Sequence, residues 1–199
     1  MTTFYLVRHG RNDFLPHTLV GRKPGVSLND EGRAEADRVA AQLASEGIQM
    51  IYSSPMERCR ETAAPLAAKL KLEVNIAEGL NEVNFGDWTG RKIAELERIE
   101  QWKQWDRCRG GGRIPNGETM LEAQARVVAF VQKLAADFPD HRIALFSHAD
   151  PLRAVLLYFL GIPCEFIQRL EMHPASISVL TLSPGEARVR CVNMPARDS

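Results

Sequence analysis

The chain has 199 residues, 45% of them hydrophobic, and its 25 lysines and arginines balance 25 aspartates and glutamates. This length and apolar fraction favour one α/β domain over residues 1–199 with a sizeable core, and the balanced charge excludes a global field that would attract nucleic acid or an acidic membrane. The four cysteines lack Cys-x-x-Cys spacing, which disfavours a zinc ribbon or a disulfide framework and favours a reducing compartment.

The first predicted element is a strand at residues 4–7, a short apolar run followed directly by Arg8 and His9. Such a run is typical of a strand that is buried on both faces of a sheet. In open α/β sheets, ligands bind just beyond the carboxyl ends of these strands. A helix is predicted next, with Asn29 as its cap and Gly47 after its end.

The second predicted strand, at residues 50–52, leads into a second helix. Ser54 and Glu57 have the spacing of a capping box, which predicts that they cap this helix. Arg58 then lies in its first turn, where free backbone N–H groups and the helix dipole favour an anion.

The remaining predicted elements continue the alternation of strand and helix, which implies right-handed crossovers and a largely parallel sheet. They are a strand at 72–76, a long helix after Gly117 with Leu121, Val128, Val131, Leu134 and Phe138 on one face, a strand at 143–146, a helix capped by Asp150 and Pro151, and an antiparallel pair at 177–182 and 187–192.

Two arginines and two histidines follow the ends of three predicted strands: Arg8, His9, Arg58 and His148. Because the carboxyl ends of parallel strands share one edge of the sheet, we expect these four side chains at a single site. Two planar, permanently charged guanidinium groups are a natural clamp for a tetrahedral dianion. The pattern therefore predicts a phosphate ligand.

With these residues in order, the chain resembles the histidine phosphatase superfamily, the phosphoglycerate-mutase-like enzymes. The resemblance rests on four ordered motifs, at residues 8–10, 54–62, 80–90 and 147–149. It implies a three-layer α/β/α sandwich with a mostly parallel central sheet and a terminal antiparallel strand pair. Four ordered motifs at strand ends are specific, whereas Arg-His-Gly alone would recur by chance.

The resemblance also implies roles for the site residues. His9 is expected to be the nucleophile, Arg8, Arg58 and His148 are expected to hold the phosphoryl oxygens, and Glu82 is expected to be the general acid and base. No metal or cofactor is required for this chemistry. If Glu82 were structural, the next candidates for the acid would be two other carboxyl groups, Asp87 and Asp150.

Some positions depart from the family's pattern. The family usually continues its signature with Glu-Thr and a phosphate-binding asparagine, where this chain has Arg11, Asn12 and Leu15. Ala149 replaces the usual glycine after the second histidine, which leaves its backbone N–H available if its φ is negative. We count Ala149, Arg11 and Arg22 as substrate-binding candidates, the two arginines for a second anionic group, although ordinary surface charges are the favoured interpretation of both arginines.

Residues 85–117 are predicted to form a cap-like insertion, because the family places a cap over its pocket here. Trp88, Trp105 and one of three arginines are the candidates for contact with the organic part of the substrate, and the alternative is a solvated amphipathic helix with a mobile glycine loop. The three arginines are Arg107, Arg109 and Arg113, and the role of a further tryptophan of this segment, Trp102, stays open.

The function predicted from these observations is that of a metal-independent phosphohydrolase acting on a small phosphorylated metabolite. A cofactor-dependent phosphoglycerate mutase and a phosphate-binding regulator with weak turnover stay as alternatives, and so does a homodimer. The most apolar segment, residues 152–160, contains Arg153 and is too short to span a bilayer. With no signal-peptide pattern before the first strand, we expect a cytoplasmic protein.

Overall fold

A computed structural model describes residues 1–197 of the protein, which fold around one six-stranded sheet. The order is β3-β2-β4-β1-β5-β6, with the first four strands parallel and β5 and β6 antiparallel to their neighbours. The strands are β1 (Thr2–Arg8), β2 (Met50–Ser53), β3 (Val74–Ile76), β4 (Arg142–Ser147), β5 (Ile177–Ser183) and β6 (Glu186–Met194). Residues 198 and 199, the end of the predicted 1–199 domain, lie outside the described residues.

Helices cover both faces of the sheet, so the predicted three-layer α/β/α architecture is confirmed. The layer formed by α1 and α2 packs on one face, and α5 and α6 pack on the other. The helices are α1 (Asp30–Leu43), α2 (Glu57–Leu70), α3 (Ile93–Leu96), α4 (Glu100–Arg107), α5 (Met120–Asp137) and α6 (Ala149–Leu160). Among residues 1–197, none of the helices is long and apolar enough to cross a membrane.

The apolar run of β1, residues 4–7, follows from burial on both faces. Phe4 and Leu6 pack in the core under α5 and α6, whereas Tyr5 and Val7 pack in the core under α1 and α2. Side chains alternate between the faces of a strand, so a strand covered on both sides has no solvent-facing position for a polar residue. After this run, the next polar residues are Arg8 and His9, where the strand ends at the carboxyl edge of the sheet.

The strand register aligns these ends. Arg8 of β1 lies opposite Ser147 of β4, and Ser53 of β2 lies opposite Phe146. His9 and His148 are therefore the next residues on two adjacent parallel strands. The prediction that they meet at one edge of the sheet is confirmed.

The predicted start of the first helix is confirmed, whereas that of the second is wrong. Asn29 caps α1 by accepting the Gly32 N–H at 2.9 Å. The helix α2 begins at Glu57, with Met56 as its N-cap and no side-chain cap. The Ser54 hydroxyl instead lies 2.8 Å from Nε2 of His148, a buried ring that needs a hydrogen-bond partner.

Two further predictions for helices are corrected. The helix α6 begins at Ala149 with His148 as its N-cap, because the Asp150 carboxylate pairs with two arginines and does not cap the backbone. Leu121 is 54% exposed, so it is not on the inner face of α5. Met120, the first residue of that helix, is buried in its place.

Residues 85–117 bury their tryptophans, which form a cluster of three rings: Trp88, Trp102 and Trp105. The ring centroids are 5.2 to 5.4 Å apart. The cluster continues into a hydrophobic core with residues of α5 and α6, including Met120 and Ala154. Trp88 and Trp105 are each only 2% exposed, so the structure offers no support for the prediction that they contact substrate.

Candidate active site

A cleft of about 200 Å³ lies at the carboxyl edge of β1, β2 and β4. It is lined by five of the predicted site residues: Arg8, His9, Arg58, Glu82 and Ala149. His148 lies directly behind it, bonded to Arg58. The sequence therefore identified a group of residues that the fold brings together; their roles remain predictions.

His9 is fixed in one tautomer. Its Nδ1 is 2.8 Å from the carbonyl oxygen of Gly10, which can only accept, so Nδ1 carries the proton and Nε2 has the lone pair. Burial, together with the positive charges of Arg58 and Arg8, holds the pKa of His9 well below its usual value. The imidazole is thus neutral and presents an unprotonated nitrogen.

Gly10 bonds to His9 through its carbonyl oxygen. Because Gly10 has no side chain, two segments can also pack closely at this position. Its N–H donates to the Thr62 hydroxyl at 3.0 Å, and a Cβ at this position would lie 2.7 Å from the backbone oxygen of Gly32 in α1. Any other residue would push β1 and α1 apart. The third residue of the Arg-His-Gly motif is therefore required by packing.

His148 is fully buried and also neutral. Arg58 Nη2 donates to its Nδ1 at 2.9 Å, so Nε2 carries the proton and donates to the Ser54 hydroxyl at 2.8 Å. Burial and the charge of Arg58 hold the pKa of His148 well below its usual value. In this arrangement, Nδ1 of His148 accepts a hydrogen bond and cannot donate one to a phosphoryl oxygen. To donate, Nδ1 must gain a proton, and Arg58 must donate to the ligand in place of His148.

The two guanidinium groups each keep an unused N–H. Arg58 Nη2 donates to the carbonyl of Gly21 at 2.8 Å, and Arg8 Nη1 donates to the carbonyl of Met172 at 2.5 Å. Arg58 Nη1 and Arg8 Nε are buried without a partner among residues 1–197. Burial and the charge of Arg153 lower the pKa of Arg8 to about 10, which leaves it charged at neutral pH.

Glu82 is a largely buried carboxyl group next to His148, and its pKa is raised. Its side chain is 13% exposed, and Oε2 lies 3.6 Å from His148 Nδ1. Burial and the negative charge of Asp150 raise the pKa of Glu82 to about 7, although Arg58 opposes this. At neutral pH, Glu82 therefore exists in both protonation states, as a group that first donates and then accepts a proton requires.

The acid loop, residues 80–90, is held in place by two arginines. The carbonyl oxygen of Glu82 accepts from Arg22 Nε at 2.7 Å and from Arg126 Nη2 at 3.4 Å. Glu118 pairs with both arginines, at 3.0 and 3.1 Å. Arg22 thus positions the loop, and the structure does not place it in the cleft lining. Sequence analysis missed Arg126, which carries no motif.

Arg11 is not brought to the site. Its Nε pairs with Glu31 at 2.9 Å and with Glu35 at 3.0 Å, and its side chain is half exposed. Two carboxylates already compensate its charge. The structure therefore offers no support for its predicted role in substrate binding.

Asn12 is a cleft residue that sequence analysis did not identify. It is buried, its Oδ1 accepts the Phe14 N–H, and its Nδ2 has no partner among residues 1–197. Leu15 lines the cleft close by. The amide of Asn12 therefore offers a donor in the region where the family's usual asparagine is missing. Its position next to the Arg-His-Gly motif was the available signal.

The two other candidate acids are placed differently. Asp87 is exposed and accepts from Asn116. Asp150 lines the cleft, but burial of its carboxyl group is outweighed by the charges of Arg109 and Arg153, which hold its pKa below the usual value. Asp150 is thus ionised at neutral pH, so it is a poorer proton donor than Glu82.

Ala149 lines the cleft as the first residue of α6. It is not among the residues with positive φ, so the replacement of glycine introduces no strain there. Within residues 1–197, no group of three or more histidine, cysteine, aspartate or glutamate side chains is arranged to hold a metal ion.

Comparisons with known proteins agree with this geometry. A family model described as "Histidine phosphatase superfamily (branch 1)" matches residues 4–195. Phosphoserine phosphatase 1 of Hydrogenobacter thermophilus is 28% identical over 185 residues, covering 90% of this chain and 86% of the relative. Probable phosphoglycerate mutase GpmB of Proteus mirabilis is 33% identical over 181 residues, covering 89% and 84%. The structure of Bacillus stearothermophilus YhfR aligns with a TM-score of 0.92 at 22% identity, covering 98% of both chains.

Proposed function

Since the chain belongs to the histidine phosphatase superfamily, branch 1, we propose that it is a metal-independent phosphohydrolase that cleaves a small phosphomonoester through a phosphohistidine on His9. The observation that carries this proposal is the fixed tautomer of His9, whose Nδ1 proton is bound to Gly10. A nucleophile needs a free lone pair at neutral pH, and His9 Nε2 has one. We further propose that residues 1–199 form one domain in which residues 85–117 are the cap.

The first transfer uses the residues that surround His9. Nε2 attacks phosphorus, the N–P bond forms, and the bond between phosphorus and the ester oxygen breaks. Protonated Glu82 gives its proton to the departing oxygen, which leaves as an alcohol. The unused N–H groups of Arg8 and Arg58 face the negative charge on the transferring group, and this electrostatic positioning is the main catalytic contribution in phosphoryl transfer.

The second transfer reverses the proton movement. Glu82, now a carboxylate, takes a proton from a water molecule as its oxygen attacks phosphorus. The N–P bond breaks, inorganic phosphate leaves and His9 regains its lone pair. A pKa of about 7 for Glu82 suits both directions, because neither protonation state is strongly favoured at neutral pH.

We propose that no metal takes part, because the positive charge a metal would supply comes from guanidinium groups. The cleft is lined by two carboxyl groups, Glu82 and Asp150, and by four arginines. The arginines are Arg8, Arg58, Arg109 and Arg153. Magnesium and manganese prefer clusters of carboxylate oxygens. Asp150, which could contribute to such a cluster, is already paired with two arginines.

A mutase is the second candidate, and the GpmB relative at 33% identity supports it. A mutase and a phosphatase share the phosphohistidine; they differ in whether an alcohol or a water takes the phosphoryl group from it. A phosphate-binding regulator with weak turnover is the remaining alternative from sequence. Formation of a homodimer, which the sequence analysis left open, stays a prediction.

The test is turnover of nitrophenyl phosphate with and without EDTA, followed by product analysis with 2- and 3-phosphoglycerate. We expect nitrophenol release that EDTA does not change, and inorganic phosphate from any phosphoglycerate consumed. Interconversion of the two phosphoglycerates without phosphate release would establish the mutase. Binding of vanadate with no turnover of either substrate would favour the regulator, and loss of activity in EDTA that a divalent ion restores would contradict metal independence.

A further inference from the structure

Part of the cleft lining is apolar, and the mechanism proposed above gives this part no role. Its side chains, which we call the apolar wall, are those of Leu15, Leu19, Val20 and Phe85. The first three come from the segment between β1 and α1, and Phe85 comes from the acid loop. Leu15 and Leu19 are only partly buried, so they keep apolar surface that a substrate can cover.

The apolar wall lies next to the residues that are proposed to bind phosphate. The ring of Phe85 packs against Gly21, since a Cβ on Gly21 would lie 3.1 Å from Cδ2 of Phe85. The carbonyl oxygen of Gly21 in turn accepts from Arg58 Nη2 at 2.8 Å. A phosphoryl group bound by Arg58 therefore has the apolar wall beside it.

The backbone holds the apolar wall in place before any ligand binds. Leu19 donates to the carbonyl oxygen of Arg91 at 2.9 Å, and its own carbonyl oxygen accepts from the N–H of Gly90 at 2.7 Å. Leu15 donates from its N–H to the carbonyl oxygen of Asn12 at 3.3 Å. Since these positions are fixed, a substrate would lose little conformational entropy of the protein in binding to them.

Two of the four arginines in the cleft are already neutralised by aspartates. Arg109 pairs with Asp106 at 2.8 Å and with Asp150 at 2.7 Å. Arg153 pairs with Asp150 at 3.1 Å. Two arginines and two aspartates carry no net charge, so this group requires no ion from the substrate.

The other charges in the cleft balance with phosphate alone. Arg8 and Arg58 carry two positive charges, which match the two negative charges of a phosphoryl dianion. His9 and His148 are neutral, and so is Glu82 when it holds the proton for the first transfer. An ionised group elsewhere on the substrate would leave water without a matching charge in the cleft, which costs free energy.

From this lining we propose that the substrate is the phosphomonoester of a small, uncharged alcohol whose carbon chain packs on the apolar wall, and that Leu15 is a residue that determines this specificity. The inference rests on the proposed phosphatase function. The cleft volume of about 200 Å³ is below the roughly 300–1,000 Å³ of pockets for drug-sized ligands, so the alcohol is small.

A hydroxylated alcohol is the competing possibility, because the Nε atoms of Arg109 and Arg153 have no partner among residues 1–197. Each Nε has a single N–H, so it can bind one hydroxyl group at one position. The apolar wall offers four side chains, so it can cover every carbon of a small chain. The lining therefore favours the apolar chain over the hydroxylated one.

The experiment compares kcat/KM for propyl phosphate, 2-hydroxyethyl phosphate and phosphoglycolate. The first two have the same number of non-hydrogen atoms and differ only in a methyl group against a hydroxyl group, and phosphoglycolate carries a carboxylate. We expect propyl phosphate to exceed 2-hydroxyethyl phosphate by roughly 10-fold, which is the usual cost of placing a hydroxyl group in an apolar environment. Ethylene glycol is the better leaving group, so intrinsic reactivity opposes this preference and cannot cause it.

Two further comparisons sharpen the result. Phosphoglycolate is expected to be the poorest of the three substrates, because its carboxylate has no free positive charge to meet. Butyl phosphate should exceed ethyl phosphate by roughly 10-fold, since each buried methylene group gives a factor of about 3 to 4. Equal values for propyl and 2-hydroxyethyl phosphate, or a preference for 2-hydroxyethyl phosphate or phosphoglycolate, would overturn the inference.

The role of Leu15 is tested with two variants. Leu15→Asn keeps the branching of the side chain but makes it polar, and it should bring the ratio of propyl to 2-hydroxyethyl phosphate towards one. Leu15→Ala removes the contact without adding a polar group and should lower the ratio less. Leu121→Asn is the matched control, because Leu121 is 54% exposed and lies outside the cleft lining, and it should keep the wild-type ratio.

The ratio separates specificity from structure and from the proposed function. If Leu15 were merely structural, Leu15→Asn would lower kcat/KM equally for both substrates, and that unchanged ratio would contradict its assigned role. Nitrophenyl phosphate is assayed in parallel. No turnover of any phosphate ester would contradict the phosphatase, whereas turnover of all of them without the expected preference would contradict only the present inference.

Discussion

The phosphate clamp (Arg8, His9, Arg58 and His148) and the tryptophan cluster are both buried and both keep an unpaired N–H, but only the clamp borders the cleft, whereas the unpaired Trp105 Nε1 belongs to a residue outside its lining. Arg58 and Arg8 keep unpaired N–H groups beside the cleft, whereas the rings of the cluster are in contact with one another and with α5 and α6. In our proposal, the clamp therefore supplies the chemistry of the site, and the cluster stabilises residues 85–117. Arg109 belongs to both regions, because it lies over Trp105 and pairs with Asp150.

The largest loss of activity is expected when the proposed acid, Glu82, is removed. We expect Glu82→Gln to reduce kcat for an alkyl phosphate by about 10²–10⁴-fold, which is the usual contribution of general acid catalysis. The loss should be milder for nitrophenyl phosphate, whose leaving oxygen needs little protonation. Asp87→Asn, an exposed change in the same loop, serves as the control. Equal losses for both substrates would mean that Glu82 acts only in structure.

Removal of an arginine of the clamp should have the next largest effect. Arg58→Ala is expected to lower kcat/KM by roughly 10²–10³-fold, as observed when one charge-stabilising donor is lost. It should also weaken the increase in melting temperature that vanadate gives the wild-type protein, because a ligand stabilises only the state that binds it. Arg60→Ala, exposed in the same helix, should leave both unchanged. A melting temperature that vanadate does not raise in wild type would contradict a preformed clamp.

The pH dependence tests how Asp150 tunes the acid. The pKa of Glu82 is raised to about 7, with burial and Asp150 as the causes that raise it, so the proton donor is present below pH 7 and lost as the pH rises through it. Activity towards an alkyl phosphate should fall across that range. In Asp150→Asn the raising charge is removed, and the fall should move to lower pH by on the order of one unit. A shift to higher pH, or no shift, would contradict the coupling.

Changes in the tryptophan cluster should affect catalysis least. Trp102→Ala removes a buried ring and should lower the free energy of unfolding by about 3–5 kcal/mol, with kcat within about twofold of wild type well below the melting temperature. Trp102→Phe should recover part of the stability. A variant with normal unfolding but a large loss of activity would show that the cluster contacts the substrate.

The clamp was predictable because short apolar strands place the next residues at one edge of the sheet. His9 and His148 follow β1 and β4, whose parallel orientation the alternation of strand and helix implies and whose pairing the structure shows. The acid loop followed from the family resemblance and not from the pattern, since a glutamate in a loop has no periodicity. The residues of the clamp were therefore predictable from local rules, whereas Glu82 was not.

The partners of these groups could not be predicted, because they depend on contacts between distant segments. Ser54 was expected to cap α2, but it bonds to His148, which is 94 residues away in the chain. Arg22 donates to the backbone carbonyl of Glu82, and Arg109 in the segment 85–117 pairs with Asp150 of α6. For Trp88 and Trp105, helical spacing and charge could not distinguish a buried ring from one that contacts the substrate, because that depends on where α5 and α6 pack.

The most direct test of the account is the identity of the phosphorylated residue. Rapid quenching into base during turnover of a radiolabelled substrate preserves phosphohistidine, which is alkali-stable and acid-labile. The account predicts label on His9, none in His9→Ala, and slower labelling at the same residue in His148→Ala, because the nucleophile remains while Arg58 loses the bond to His148 Nδ1 that helps to position it. Label on Ser54 or Ser147, or turnover that persists in His9→Ala, would contradict the account.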